Sequence, residues 1–124
     1  MNSLFFDSTR KTPAIVLDPS GSLRIAGRSI PEDARIFYSE IINWIEEYLK
    51  EPAEFTTLDV AFEYLNSGTS KRVLEILTLL KELQLNGNKL SINWHYEEGD
   101  DDILERGEYF ASILDIKINF IETE

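Results

Sequence analysis

The sequence predicts an α/β fold: one mixed β-sheet, mostly parallel, with an N-terminal hairpin and three main helices in the order ββαβαβαβ. Two patterns and one junction carry this expectation. Leu58, Val60, Phe62 and Tyr64 alternate with small or charged neighbours, and the run Lys89–Tyr96 alternates in the same way, which is the period of a strand. Val73, Ile76, Leu77 and Leu80 instead recur at helical spacing. Asn66-Ser67-Gly68-Thr69-Ser70 separates the two patterns with residues that suit a turn and a helix cap. Strands alternating with helices require crossover connections, so most neighbouring strands run parallel.

Taken in order, residues 1–12 read as a loosely ordered lead-in to a single domain spanning 1–124. Pro13–Asp18 forms a first strand, Pro19–Ser22 a tight turn, and Leu23–Gly27 the hairpin partner with Leu23, Ile25 and Gly27 on one face. Ser29 is the expected N-cap of the first helix, placing Pro31, Glu32 and Asp33 in its first turn. That helix runs to about Lys50 with Phe37, Ile41, Trp44, Ile45 and Tyr48 on its apolar stripe, and Glu51-Pro52-Ala53 stops it. Trp44 at this spacing is a core residue before it is a ligand platform. The central strand and the hydroxyl-rich turn follow, then a second helix over roughly Thr69–Leu85, closed by Asn86-Gly87-Asn88. Lys89–Tyr96 is the next strand. The acidic segment 97–102 leads into a third helix through Ile103, Leu104, Tyr109, Phe110 and Ile113, and Ile116–Ile121 is a last strand near an edge.

Composition narrows the function. A chain of 124 residues with 43% hydrophobic content buries a core without disulfides, and it contains no cysteine. Thiolate chemistry and Cys-ligated zinc are thereby removed, and a cytoplasmic location is expected. No apolar run is long enough to span a bilayer, and the first residues lack the h-region of a secretory signal. Twelve basic against 23 acidic residues give a net charge of −11, which disfavours both nucleic acid and acidic membrane surfaces. The natural counterpart is a protein with a basic or apolar patch.

The residues offer little for catalysis. His95 is the single histidine, and no phosphate-binding glycine loop of either common type is present. A small enzyme or ligand-binding domain built on Trp94, His95 and the acidic loop is the alternative in that class. Asp100, Asp101 and Asp102 supply oxygens that a hard cation wants, but acids just ahead of a helix also suit its dipole, and no cofactor or metal is expected. The turn 66–70 is more suggestive. A helix start carries unpaired N–H groups and positive dipole, so hydroxyls there meet donors ready for an added phosphate.

Several short motifs occur in series: Thr12-Pro13-Ala14-Ile15, Gly27-Arg28-Ser29-Ile30-Pro31-Glu32, Trp44-Ile45 with Tyr48, Tyr64-Leu65-Asn66-Ser67 with Ser70-Lys71, Trp94-His95-Tyr96, and Gly107-Glu108-Tyr109-Phe110. Together they resemble the SiaC family of bacterial regulatory phosphoproteins, related in fold to the STAS-like anti-sigma-factor antagonists. The resemblance implies a non-catalytic partner-switching protein. It implies phosphorylation of a hydroxyl in this turn by a dedicated Ser/Thr kinase, reversal by a PP2C-type phosphatase, and activation of a diguanylate cyclase by the unphosphorylated form, within cyclic-di-GMP and biofilm signalling. The family's acceptor follows the Asn after the strand, which is Ser67 here. Where the family often has two adjacent hydroxyls, this chain has Ser67 and Gly68, so Thr69 stands as second choice. Asn66, Gly68, Thr69, Ser70 and Lys71 are the expected docking surface, with Lys71 steering a partner. An anti-sigma-factor-antagonist-like module is the alternative within the same fold.

Overall fold

The computed structural model describes residues 1–124 and contains six strands and three helices. The strands are β1 (Leu4–Phe6), β2 (Ala14–Asp18), β3 (Ser22–Ser29), β4 (Phe55–Leu65), β5 (Lys89–Glu97) and β6 (Asn119–Thr123). The helices are α1 (Ala34–Tyr48), α2 (Ser67–Leu85) and α3 (Asp101–Leu114). The strands lie side by side in chain order, with β1, β2 and β3 antiparallel and β3 through β6 parallel. The expected mixed sheet is thus present, and it carries one strand more than the sequence reading gave.

The extra strand corrects the expectation for residues 1–12. Leu4, Phe5 and Phe6 pair with Leu17, Val16 and Ile15, and Trp44 Nε1 donates to the Asn2 carbonyl at 2.8 Å. Ile30 N–H donates to the Lys11 carbonyl at 2.7 Å, so the whole lead-in is tied down. A strand this short carries too little alternation to be read from sequence; its partner supplies the ladder.

Each parallel connection steps one strand in the same direction. Right-handed crossovers therefore put all three helices on one face of the sheet. That face holds a continuous core of 24 buried apolar residues, including Ile25 of β3, Leu58, Val60 and Phe62 of β4, and Ile92 and Trp94 of β5. The opposite face is uncovered by any helix. Along β4 the inward pattern breaks near its end: the register slips between Gly27 and Arg28, and Leu65 instead of Tyr64 is buried. Tyr64 is consequently exposed, contrary to its place in the alternating series.

Other boundaries also differ from the sequence reading: α2 starts at Ser67 instead of Thr69, and β3 runs on to Ser29. Asp33, not Ser29, caps α1, accepting from Ile36 N–H at 3.1 Å. Ser29 continues the strand alternation of Leu23 and Ile25 and is buried at the end of β3. Tyr38 rather than Phe37 is the fully buried aromatic of the first turns of α1. The last strand begins at Asn119; Ile116 and Ile118, read as strand, are buried in the segment leading into it.

Candidate functional site

The site is built where parallel strands end and helices begin, the edge at which open α/β sheets place their functional groups. β4 finishes at Leu65, and Asn66 closes the strand while capping α2. Its Oδ1 accepts from Thr69 N–H at 2.9 Å, its carbonyl accepts from Ser70 N–H at 3.0 Å, and its own N–H donates to the Ser29 carbonyl at 3.1 Å. One residue thus fastens the turn to both β3 and α2. Ser67 is the first residue of α2 and is exposed. Its N–H and that of Gly68 belong to the first turn, where no intrahelical acceptor exists.

Thr69 has a different surrounding. It is fully buried, and its hydroxyl bridges Ser29 Oγ at 2.8 Å and the Ser29 carbonyl at 3.1 Å. Ser29 Oγ meets Tyr38 Oη at 2.8 Å. Thr69, the second-choice acceptor, thus has its side chain on the core side of the turn, while Ser67 lies at the surface. It belongs there because the i+3 spacing from Asn66 points it back at β3. Burial pushes the Tyr38 phenol up to about 12, against the pull of its hydrogen bonds to Ser29 and Thr69.

Of the remaining turn residues, Lys71 is exposed and Ser70 is half-buried. Gly68 lets α2 approach α1, because a Cβ there would stand 3.2 Å from Ala34 Cβ. Ser70 Oγ accepts a hydrogen bond from Arg106 Nη1 of α3. Asn66, Ser67, Gly68, Ser70 and Lys71 thus form one accessible turn, with Thr69 beneath it.

The alternative site is not assembled. Trp94 and His95 are consecutive on β5, so they point to opposite faces. Trp94 is fully buried beneath α3, donating to the Ile103 carbonyl at 2.9 Å. His95 lies on the uncovered face, its Nε2 3.0 Å from Asp59 Oδ1. That carboxylate also accepts from Asn93 Nδ2 at 3.2 Å, and Asn119 Nδ2 donates to Asn93 Oδ1 at 3.1 Å, giving a polar row across β4, β5 and β6. No hydroxyl is hydrogen-bonded to the imidazole. Asp100, the first of the three aspartates, caps α3 by accepting from Ile103 N–H at 3.1 Å. No group of three or more histidine, aspartate or glutamate side chains converges to hold a metal ion.

Comparison with known proteins decides what this turn belongs to. Residues 6–123 match the model of the SiaC family of regulatory phosphoproteins. The chain belongs to the SiaC family. An uncharacterized protein of Pseudomonas aeruginosa strain UCBPP-PA14 is 33% identical over 111 residues, covering 89% of this chain and 88% of that one. The crystal structure of apo-SiaC from P. aeruginosa superposes with a TM-score of 0.86 at 31% identity, over the full length of both chains. A chain of the complex between the diguanylate cyclase SiaD and its activator SiaC, from the same organism, superposes with a TM-score of 0.89 at 30% identity, covering 97% of this chain and 99% of that one.

Sequence reasoning missed Ser29, Tyr38 and Arg106 around the SiaC-type turn. Ser29 was legible as the next inward position after Leu23, Ile25 and Gly27, had the cap signal not outweighed it. Arg106 offers no such signal: it is one cation in an acidic stretch, and only the packing of α3 beside α2 brings it to Ser70.

Proposed function

We propose that this protein is a non-catalytic, cytoplasmic partner switch whose state is set by phosphorylation of Ser67. A Ser/Thr kinase adds the phosphoryl group, a PP2C-type phosphatase removes it, and the unphosphorylated form binds and activates a diguanylate cyclase. The observation that carries the reading is the position of Ser67: an exposed hydroxyl at the first residue of α2, directly after the cap Asn66, in a chain of the SiaC family. Support for the cyclase comes from the solved relative named as activator of SiaD.

The physics of such a switch is local. A phosphoryl group brings a charge of about −1.5 to −2 and three acceptor oxygens. At a helix start it meets N–H donors and a favourable dipole, so the fold tolerates it. Its effect falls on whatever docks against the turn, through bulk and charge; a loss of about 1.4 kcal/mol already lowers affinity tenfold.

Tandem mass spectrometry after incubation with the cognate kinase tests the site, with a single phosphate on Ser67 as the expected result. Ser67→Ala should abolish modification while leaving cyclase stimulation intact. Phosphorylated protein should bind the cyclase at least about tenfold more weakly. Ser67→Asp should act in the same direction but less strongly, since it carries a smaller charge. Modification confined to residues other than Ser67 would overturn the assignment.

A further inference from the structure

Arg106 reaches the first turn of α2 from a different helix, its Nη1 donating to Ser70 Oγ across 36 positions of sequence. It shares a depression with the carboxylates of Glu63, Asp100, Asp102 and Glu105. It forms no ion pair with any of them, the salt bridges of this protein joining other residues. A guanidinium that bonds a neutral hydroxyl while standing among four acids leaves most of its planar fork uncommitted.

Ser67 and Ser70 are i and i+3 on α2, so their Cβ atoms are neighbours about 5–6 Å apart. An anion on Ser67 Oγ is thus one helical turn from the side chain that Arg106 bonds. A phosphate offers the guanidinium opposite charge and a planar, bidentate match, whereas the Ser70 hydroxyl offers one neutral acceptor. The surrounding carboxylates repel a dianion, so Arg106 is the group that can offset its charge there. Of the cations on α2 itself, Arg72 is paired with Glu75 at 3.7 Å and Lys71 is exposed.

We propose that Arg106 is the receptor for the phosphoryl group on Ser67. On modification its guanidinium leaves Ser70 Oγ for the phosphate oxygens, tying α3 to the start of α2. This rests on Ser67 being the modified residue. Modification then does more than add charge to the docking surface: it frees the Ser70 hydroxyl, which belongs to that surface.

The test places phosphoserine at position 67 during translation, so no kinase is needed, and follows the second ionisation of the phosphate by phosphorus NMR. The midpoint in the otherwise unaltered protein should lie about half a unit or more below that in Arg106→Gln, because a contacting cation favours the dianion. Arg106→Lys should fall between them and Lys71→Gln should match the unaltered protein. Coincident midpoints with and without Arg106, or a rise seen only in Lys71→Gln, would overturn the proposal. Should Arg106→Gln not fold, the Arg106 Nε–H resonance of the phosphorylated protein decides: movement through the phosphate titration supports the contact, and constancy rules it out. Failure of the kinase to modify Ser67 would sink the functional reading and leave this measurement standing. The reverse result would remove the clamp alone.

Discussion

The buried hydroxyls of Ser29, Tyr38 and Thr69 have only one consistent hydrogen-bond direction. The Thr69 hydroxyl donates its proton to the Ser29 carbonyl, so Ser29 Oγ must donate to Thr69 Oγ1, and Tyr38 Oη to Ser29 Oγ. Tyr38 is the head of that chain, and its proton is the one that cannot be lost without leaving Ser29 Oγ short of a donor. Tyr38→Phe should destabilise the protein by about 1 kcal/mol near neutral pH, measured by urea unfolding. The pH dependence has a definite sign. The phenol ionises near 10 in the unfolded chain and near about 12 in the folded one. Its contribution is therefore full below about pH 10 and falls away as pH rises through the folded value, at up to about 1.4 kcal/mol per unit. The deficit of Tyr38→Phe should hold up to about pH 10, shrink above it and reverse at about pH 11; a constant difference would show that the phenol does not titrate against folding.

At the scale of one element, α3 is held down by a glycine. Gly107 faces the sheet, and a Cβ there would stand 2.7 Å from Trp94 Nε1 and 2.8 Å from Phe120 Cε1. Two effects of Gly107→Ala oppose each other. Alanine favours helix over glycine by about 1 kcal/mol, while forcing a methyl into a packed core costs about 1–3 kcal/mol. Trp94 has little freedom to retreat, because its indole N–H is bonded to the Ile103 carbonyl and its ring packs edge-on against Phe62 and Phe110. Packing wins, so Gly107→Ala should lower stability by about 1–2 kcal/mol, with a change in tryptophan emission. Because α3 also carries Arg106, the same substitution is expected to disturb the Ser70 contact.

For the molecule as a whole, charge is the unbalanced quantity. The net charge of −11 on 124 residues is accompanied by few ion pairs, of which Arg72 with Glu75 lies within α2 and Lys50 with Glu47 spans the end of α1. Self-repulsion of that size acts against the compact state. It is screened as the Debye length falls from about 30 Å at 0.01 M salt to about 8 Å at 0.15 M. The melting temperature should therefore rise by a few degrees over that range in sodium chloride, and a flat or falling response would show that charges of opposite sign already balance locally.

Much of this molecule was written in the period of its apolar residues. The strands β4 and β5, the body of α2 and the turn at 66–70 follow from local pattern, although the helix starts at Ser67, two residues before the Thr69 that the pattern suggests. These are properties of a few neighbouring residues, which is why one chain segment suffices to specify them. Only the tertiary structure decided that Leu4–Phe6 is a strand and that the Thr69 hydroxyl is buried against Ser29 beneath the turn. It also brought Arg106 to Ser70. Those outcomes depend on which distant element supplies the other half of a ladder or a hydrogen bond, and residues tens of positions apart leave no periodic trace of one another.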